Sequence, residues 1–423
     1  MEHTKHATAT ALRLLFSILL LDVIGLSMLY PIAAYLVRPY SRDALMVTLM
    51  TVIYAGAQFL TSPVLGKLGD RYGRRPVLLV SIFGSAVGYL VLGIGGALWV
   101  LFLSRLIGGI AASNQSTVAA AIADLSTPDT RAKNFTLIGL AWGIGLIVGP
   151  AVGAALAQVD LAAPAYLAML LSILSGLLTI VFLPESLPEG QRSANSLQFG
   201  DLNPLVSIRA IARLPGLGGL LLILCIFNFV FNGINSIETL FLIERFAARP
   251  EHVGGLLVVA GMTIALVQRF VQRLVSHYGE QGIAVVALIG LALAVLATPF
   301  LPYLWLIFPL TMIRTAASSC VFPTLGALMS SRVSPQEQGT LMGVTTAMSS
   351  LMGVLGPLWA GALYDRLAPG APYGVGTCLF LFAAVLLLFL RSQGKREGLP
   401  LTDILYLRRQ KPPIDCNDLA GNK

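Results

Sequence analysis

Asp22 lies near the middle of a long apolar run. At that depth an ionised carboxylate costs several kcal/mol unless it faces a water-filled path or a partner. Two readings follow: a side chain that only hydrogen-bonds a neighbouring helix, or a site that takes up and returns a proton. Asn228, Asn232, Asn235 and Glu238 follow one another at spacings of four, three and three in another run, interleaved with Phe227, Phe229 and Phe231. They share one helix face. Because a polar stripe is costly in lipid, it is expected either to line a central cavity and touch substrate or to join helices by hydrogen bonds. Glu238 is a second candidate proton site. Gln58, Asn114, Gln115, Gln268, Arg269 and Arg314 are further candidate substrate contacts within apolar runs, and Arg269, if deep enough, suits an anionic or zwitterionic solute. Arg105 and Arg314 also lie within such runs and stay charged at any relevant pH.

Gly145, Gly149 and Gly153 recur every four residues along one helix face, beside Pro150. Small residues let a second helix approach closely, and the proline removes a backbone bond and bends the helix. Tight packing alone is one reading; a bendable contact is the other. A polar cluster, GKLGDRYGRRP, contains Gly66, Asp70, Arg71, Gly73, Arg74 and Arg75. Other signals carry no chemistry. His3, His6, His252 and His277 form no metal cluster, and Cys225, Cys320, Cys378 and Cys416 have neither metal-ligand nor disulfide spacing. The glycines at 93, 95 and 96 follow no strand, and no Walker lysine is present. No cofactor, metal, catalytic residue or nucleic-acid partner is expected.

The elements that must position these groups follow from composition. Of 423 residues, 56% are hydrophobic and 11% charged, against about 25% charged in soluble domains. Such a chain cannot cover itself with polar surface in water, which excludes a soluble enzyme, a disordered chain and a nucleic-acid binder. A bilayer needs about 20 apolar residues per helix. Runs occur near 14–37, 44–66, 77–96, 98–123, 135–158 and 163–183, and again near 217–243, 253–275, 283–300, 303–330, 340–363 and 373–390. The expected organisation is an all-α membrane protein: a six-helix bundle at 1–183, a cytoplasmic linker at 184–216, a second six-helix bundle at 217–391 and a cytoplasmic tail at 392–423. The first run is read as a retained span rather than a signal peptide. With both termini cytoplasmic, most of the 28 Lys and Arg fall on the inner side, as the positive-inside rule requires. Tyr72-Gly73 and Tyr278-Gly279, Pro128 and Pro335, and Gly149-Pro150 and Gly356-Pro357 repeat at offsets of 206 or 207. Arg314 is a looser counterpart of Arg105. Parallel repeats of this kind put a transport path on the axis between the halves.

The GKLGDRYGRRP cluster resembles the loop signature of the major facilitator superfamily. RLIGGIAA from Arg105 resembles its conserved-arginine motif, and GLIVGPAVGA from Gly145 is similar to the motif marking drug:proton antiporters, with Ala154 in place of the usual final Gly. The resemblance covers all twelve spans. DVIG through Pro31 and ADLSTPDTRA at 123–132 resemble the tetracycline-efflux branch. Gly88 stands where that branch carries an Asp, GMTIALVQRF lacks its span-eight His, and QRLVSHYG lacks the Asp of the second loop motif. The coupling residues therefore need not be the same. The resemblance implies two six-helix halves that rock, Asp22 as proton site, and Arg105 facing inward as modulator of a nearby acid, with Asp22 its partner. It implies that Asp70 gates the outward-facing form by pairing with a neighbouring helix end or basic group, Arg131 being the candidate. It also implies that Gly145, Gly149, Pro150 and Gly153 help seal one state.

The expected function is proton-driven export of small amphipathic compounds, possible cargo including drugs or tetracycline-like molecules, by a monomer in the cell membrane, with the proton gradient as energy source. The alternatives are a uniporter or symporter for a metabolite and, more remotely, a non-transporting sensor or lipid-handling protein.

Overall fold

The computed structural model describes residues 2–187, 217–333 and 338–396, except 113 and 127. It is all-helical there, with twelve helices long and apolar enough to cross a membrane. The first six are Glu2–Ser27, Ala44–Tyr72, Arg74–Ile94, the pair Leu98–Ala111 with Asn114–Asp124, Pro128–Leu156 and Ala163–Phe182. The last six are Leu217–Phe246, Pro250–Tyr278, Glu280–Ala297, Ile307–Ser330, Gln338–Arg366 and Ala371–Arg396. They are numbered here as spans one to twelve.

Four boundaries differ from the sequence reading. The first run does not continue to 37: span one stops at Ser27, and a turn containing Pro31 leads into a short helix, Ala33–Val37. Proline cannot donate the helical bond there. Second, Asp70 and Arg71 belong to the last turns of span two, and the turn to span three is Gly73 alone, at φ +103°, a conformation that favours glycine. Third, span four is broken: Ala112 leaves helical geometry with ψ 41°. Gln58 donates its amide to the Ala112 carbonyl at 2.9 Å, and the Thr61 hydroxyl reaches the Gly109 carbonyl at 3.4 Å. Span two thus satisfies backbone groups that the break releases, as lipid requires. Fourth, span twelve runs to Arg396, past the expected start of the tail. Residues 188–216 and 397–423, most of the linker and tail, lie outside the described residues.

The duplication is visible in packing. In the first half, span one packs on five and six, three on four and six, and two on four; in the second half, seven packs on eleven and twelve, nine on ten and twelve, and eight on ten. Each pair recurs six spans later. Two seams join the halves, span two with eleven and span five with eight, and they obey the same rule. Three cross-half hydrogen bonds lie together at one end. The Tyr35 hydroxyl donates to the Ala248 carbonyl at 2.7 Å, and Asp365 accepts from the Ala44 and Leu45 amides at 2.8 and 2.9 Å. A buried apolar cluster crosses the halves there, from Leu29, Ile32 and Val47 to Ile237, Phe241 and Tyr364. A second, around Leu15, Ile18, Leu78 and Ile122, belongs to the first half.

Ala44 and Leu45 open span two, where helix amides lack intrahelical partners. Asp365, at the end of span eleven, is therefore a helix cap supplied by the other half. Removing such a cap costs about 1 kcal/mol, which is about fivefold in an equilibrium. In a background with the four native cysteines replaced by serine, a cysteine at Thr48, fully buried against Gly361, reports on this seam. Asp365→Ala is expected to raise its labelling rate by a membrane-impermeant maleimide several-fold. An unchanged rate would remove Asp365 from the seam's energetics.

Candidate functional site

Spans one to five surround a cavity of about 220 Å³ inside the first half. It gathers five of the residues singled out from sequence: Asp22, Gln58, Arg105, Asn114 and Gln115. Asp22 accepts a hydrogen bond from the Asn114 amide at 2.8 Å. The span-four break puts Asn114 at the start of a new helical segment, where it is buried, 3% exposed. Arg105 belongs to the segment before the break, with its guanidinium 5.9 Å from the centre of the Tyr54 ring. That is within cation–π range. The expected pairing of Arg105 with Asp22 is thus replaced: Asn114 holds the acid and Tyr54 faces the base. The reason is the register along span four, which separates Arg105 from Asn114 by nine residues.

Sequence reading missed the aromatic wall: Tyr30, Tyr54, Tyr89 and Trp142 all line the cavity. Tyr54 lies four residues before Gln58, on the same helix face, a spacing that was available as a signal. Gly88 also lines the cavity, and a Cβ there would lie 3.1–3.2 Å from the Gly108 backbone and the Ser104 carbonyl. Where the resembled branch has a carboxylate, this chain has a close approach of spans three and four.

The glycines of span five form a seam with span one. A Cβ at Gly145 would meet Val23, one at Gly149 would meet Ser27 and the Ile24 carbonyl, and one at Gly153 the Met28 backbone. The Ser27 hydroxyl donates to the Gly145 carbonyl at 2.8 Å. Span five also faces span eight of the other half, where a Cβ at Gly254 would meet Ala154 and the Pro150 carbonyl, and one at Gly261 would meet Ile147. The helix carrying Asp22 is therefore linked to the second half through one intervening helix. Gly356 packs on Phe229 and Gly233 of span seven, repeating the seam.

Other expected site residues are distributed differently. Asn228 donates to the Leu224 carbonyl at 2.9 Å and Asn232 to the Asn228 carbonyl at 2.7 Å, so these amides bond their own helix. Asn235 and Arg314 line a much smaller cavity in the second half. Arg314, expected as a substrate contact, is an ion-pair partner: its Nη2 lies 2.5 and 2.6 Å from the two Glu238 oxygens. Gln268 and Arg269 are exposed on span eight, away from both cavities.

At the opposite end of span two from Asp365, Asp70 pairs with Arg74 at 2.7 Å, and Arg74 Nε reaches Asp124 at 3.1 Å. Arg71 lies 5.5 Å from the Tyr72 ring. The Arg131 backbone belongs to span five; its side chain lies outside the described residues. Glu185 was assigned to the linker by sequence, yet it accepts from the Arg74 and Arg75 amides at 2.8 and 3.1 Å. It caps span three, and an ionised carboxylate suits that position. Gly66 has open space where a Cβ would be.

The sequence profile of the Major Facilitator Superfamily matches residues 15–357 and 283–411. The chain is 32% identical to the class G tetracycline resistance protein of Vibrio anguillarum, covering 87% of this chain and 94% of that protein. It is 31% identical to the class C tetracycline resistance protein of Escherichia coli, covering 88% and 94%. Its fold matches the crystal structure of the human organic anion transporter MFSD10 (TETRAN) with a TM-score of 0.69 and 27% identity, over 90% of this chain and 99% of that one.

Proposed function

Because the chain belongs to the Major Facilitator Superfamily, we propose that it is a proton-coupled antiporter exporting small amphipathic compounds, tetracycline-like molecules among them, by alternating access. The observation that carries this reading is Asp22: a carboxylate in a polar cavity, hydrogen-bonded by Asn114, on a helix seamed to the span that meets the other half. Asp22 exchanges a proton with water as the cavity changes sides. A proton entering from outside neutralises it and releases cargo, and the deprotonated acid binds cargo again from inside. Arg105 sets the opposite charge in the same cavity. Glu238, bound to Arg314, is a second acid whose proton uptake would break an ion pair. Asp70 and its basic neighbours gate the inner end, and Asp365 the outer. The protein works as a monomer in the cell membrane with both termini cytoplasmic.

The test uses purified protein in liposomes with tetracycline as probe. A lumen more acidic than the medium is expected to drive accumulation, and a protonophore to collapse it. Uptake that is equal with and without the gradient would make the protein a uniporter. Uptake driven only by the reverse gradient would make it a symporter.

A further inference from the structure

Asp22 and Arg105 are the charged residues among those described around the first-half cavity. Their partners make them unequal to the pair in the second half. There Arg314 and Glu238 neutralise one another directly. Here Asp22 is held by an amide and Arg105 lies against a ring, and the Arg105 Nε is buried with no hydrogen-bond partner. Six buried side-chain nitrogen or oxygen atoms among the described residues lack such a partner, and Arg105 Nε, Asn114 Oδ1 and Trp142 Nε1 all belong to this cavity's lining. Half of the orphaned atoms thus gather at one place. Two are donors and one is an acceptor. Leaving such groups unpaired is expensive, and a bound solute is what they can share.

The two charges are also separated. Arg105 and Asn114, which holds Asp22, belong to different helical segments of span four, nine residues apart with the break between them. A purely anionic solute would face the Asp22 carboxylate, and a purely cationic one would face Arg105. Building on the transport reading above, we infer that the cargo is a zwitterion: its anionic group docks on Arg105, its cationic group on Asp22, and its apolar body lies against the aromatic side chains between them. The sign of coupling follows. Protonated Asp22 has no charge with which to hold the cationic group, so proton entry releases that end. Tyr30, Tyr54, Tyr89 and Arg105 are the other titratable groups facing the cavity.

The test is equilibrium binding of three radiolabelled probes to the purified full-length protein in detergent. They are 4-(aminomethyl)benzoate, its N-acetyl derivative, which keeps only the anion, and its methyl ester, which keeps only the cation. The zwitterion is expected to bind at least about tenfold more tightly than either derivative, the size of a charge-assisted hydrogen bond. Asp22→Asn should reduce it to the affinity of the N-acetyl probe, which binds that variant at least as tightly as it binds the parent. Arg105→Gln should reduce it to the affinity of the ester, which likewise binds at least as tightly as before. The probe that is not weakened in each case shows that the variant is folded. A wild-type protein that binds no probe saturably, or a derivative as tightly as the zwitterion, overturns the inference, as does an equal loss for all three probes in both variants. The two readings can fail separately. Proton-driven tetracycline uptake without charge discrimination in binding removes the zwitterion and leaves antiport; discrimination without gradient dependence removes antiport and leaves the site.

Discussion

Asp22→Asn is expected to abolish gradient-driven accumulation while leaving the protein at normal abundance in the membrane. The substitution is nearly isosteric. The new amide oxygen still accepts from Asn114, replacing the 2.8 Å bond, and a neutral amide costs less to bury than a carboxylate. Nothing in the packing of span one opposes it, because the contacts with span five run through Val23, Ile24, Ser27 and Met28. What is lost is the proton. A carrier that cannot exchange one still equilibrates cargo but cannot concentrate it. Accumulation should therefore fall by about tenfold or more, equivalent to about 1.4 kcal/mol of lost coupling, while exchange of labelled for unlabelled cargo across the same liposomes persists once the cargo concentration is raised to offset the weaker binding. Full dependence on the pH gradient in this variant would remove Asp22 from the coupling mechanism.

The twelve spans and their duplication were legible because both rest on local properties. Apolar length gives a span, and landmarks at a fixed offset give a repeat. Asp22, Arg105 and Asn114 were legible singly, since polar groups in apolar runs announce themselves. Their pairing was not: Asp22 and Asn114 are 92 positions apart, and no proline marks the break in span four that places Asn114. The tyrosines were lost for a different reason, because hydropathy counts an aromatic ring as filler and ignores its hydroxyl. The span-seven stripe was legible as a face but not in its bonding. Its spacing puts the asparagines on one face, but spacing cannot show that Asn228 and Asn232 donate to the carbonyl one turn back. Glu185 and Asp365 sit just beyond or at the end of a span, where charge reads as a topology signal. Each caps a helix remote in sequence, and only the tertiary arrangement reveals that use.

Gly149→Leu is expected to eliminate transport and to lower both the thermal stability and the membrane abundance of the protein. A Cβ at position 149 would collide with the Ser27 hydroxyl and lie 2.7 Å from the Ile24 carbonyl. One of these contacts is backbone, so no rotamer change relieves it. Spans one and five would have to part, breaking the bond from Ser27 to the Gly145 carbonyl. Overpacking of this kind costs typically about 1–3 kcal/mol, and the remaining leucine carbons extend the clash. The functional loss should exceed the loss of folded protein, because the displaced helix carries Asp22 five residues before Ser27. Span five also presses on span eight through Pro150 and Ala154, so the same shift reaches the seam between the halves. Gly139→Leu supplies the control. It lies on the same helix, is exposed, and a Cβ there would meet nothing within 4 Å, while leucine is the better helix former by up to about 1 kcal/mol. Uptake by Gly139→Leu should stay within about twofold of the parent, since surface changes of this kind usually fall within about 0.5 kcal/mol. Equal transport by the two variants would mean that the glycine stripe is dispensable, and that motion passes from Asp22 to the second half by another route than span five.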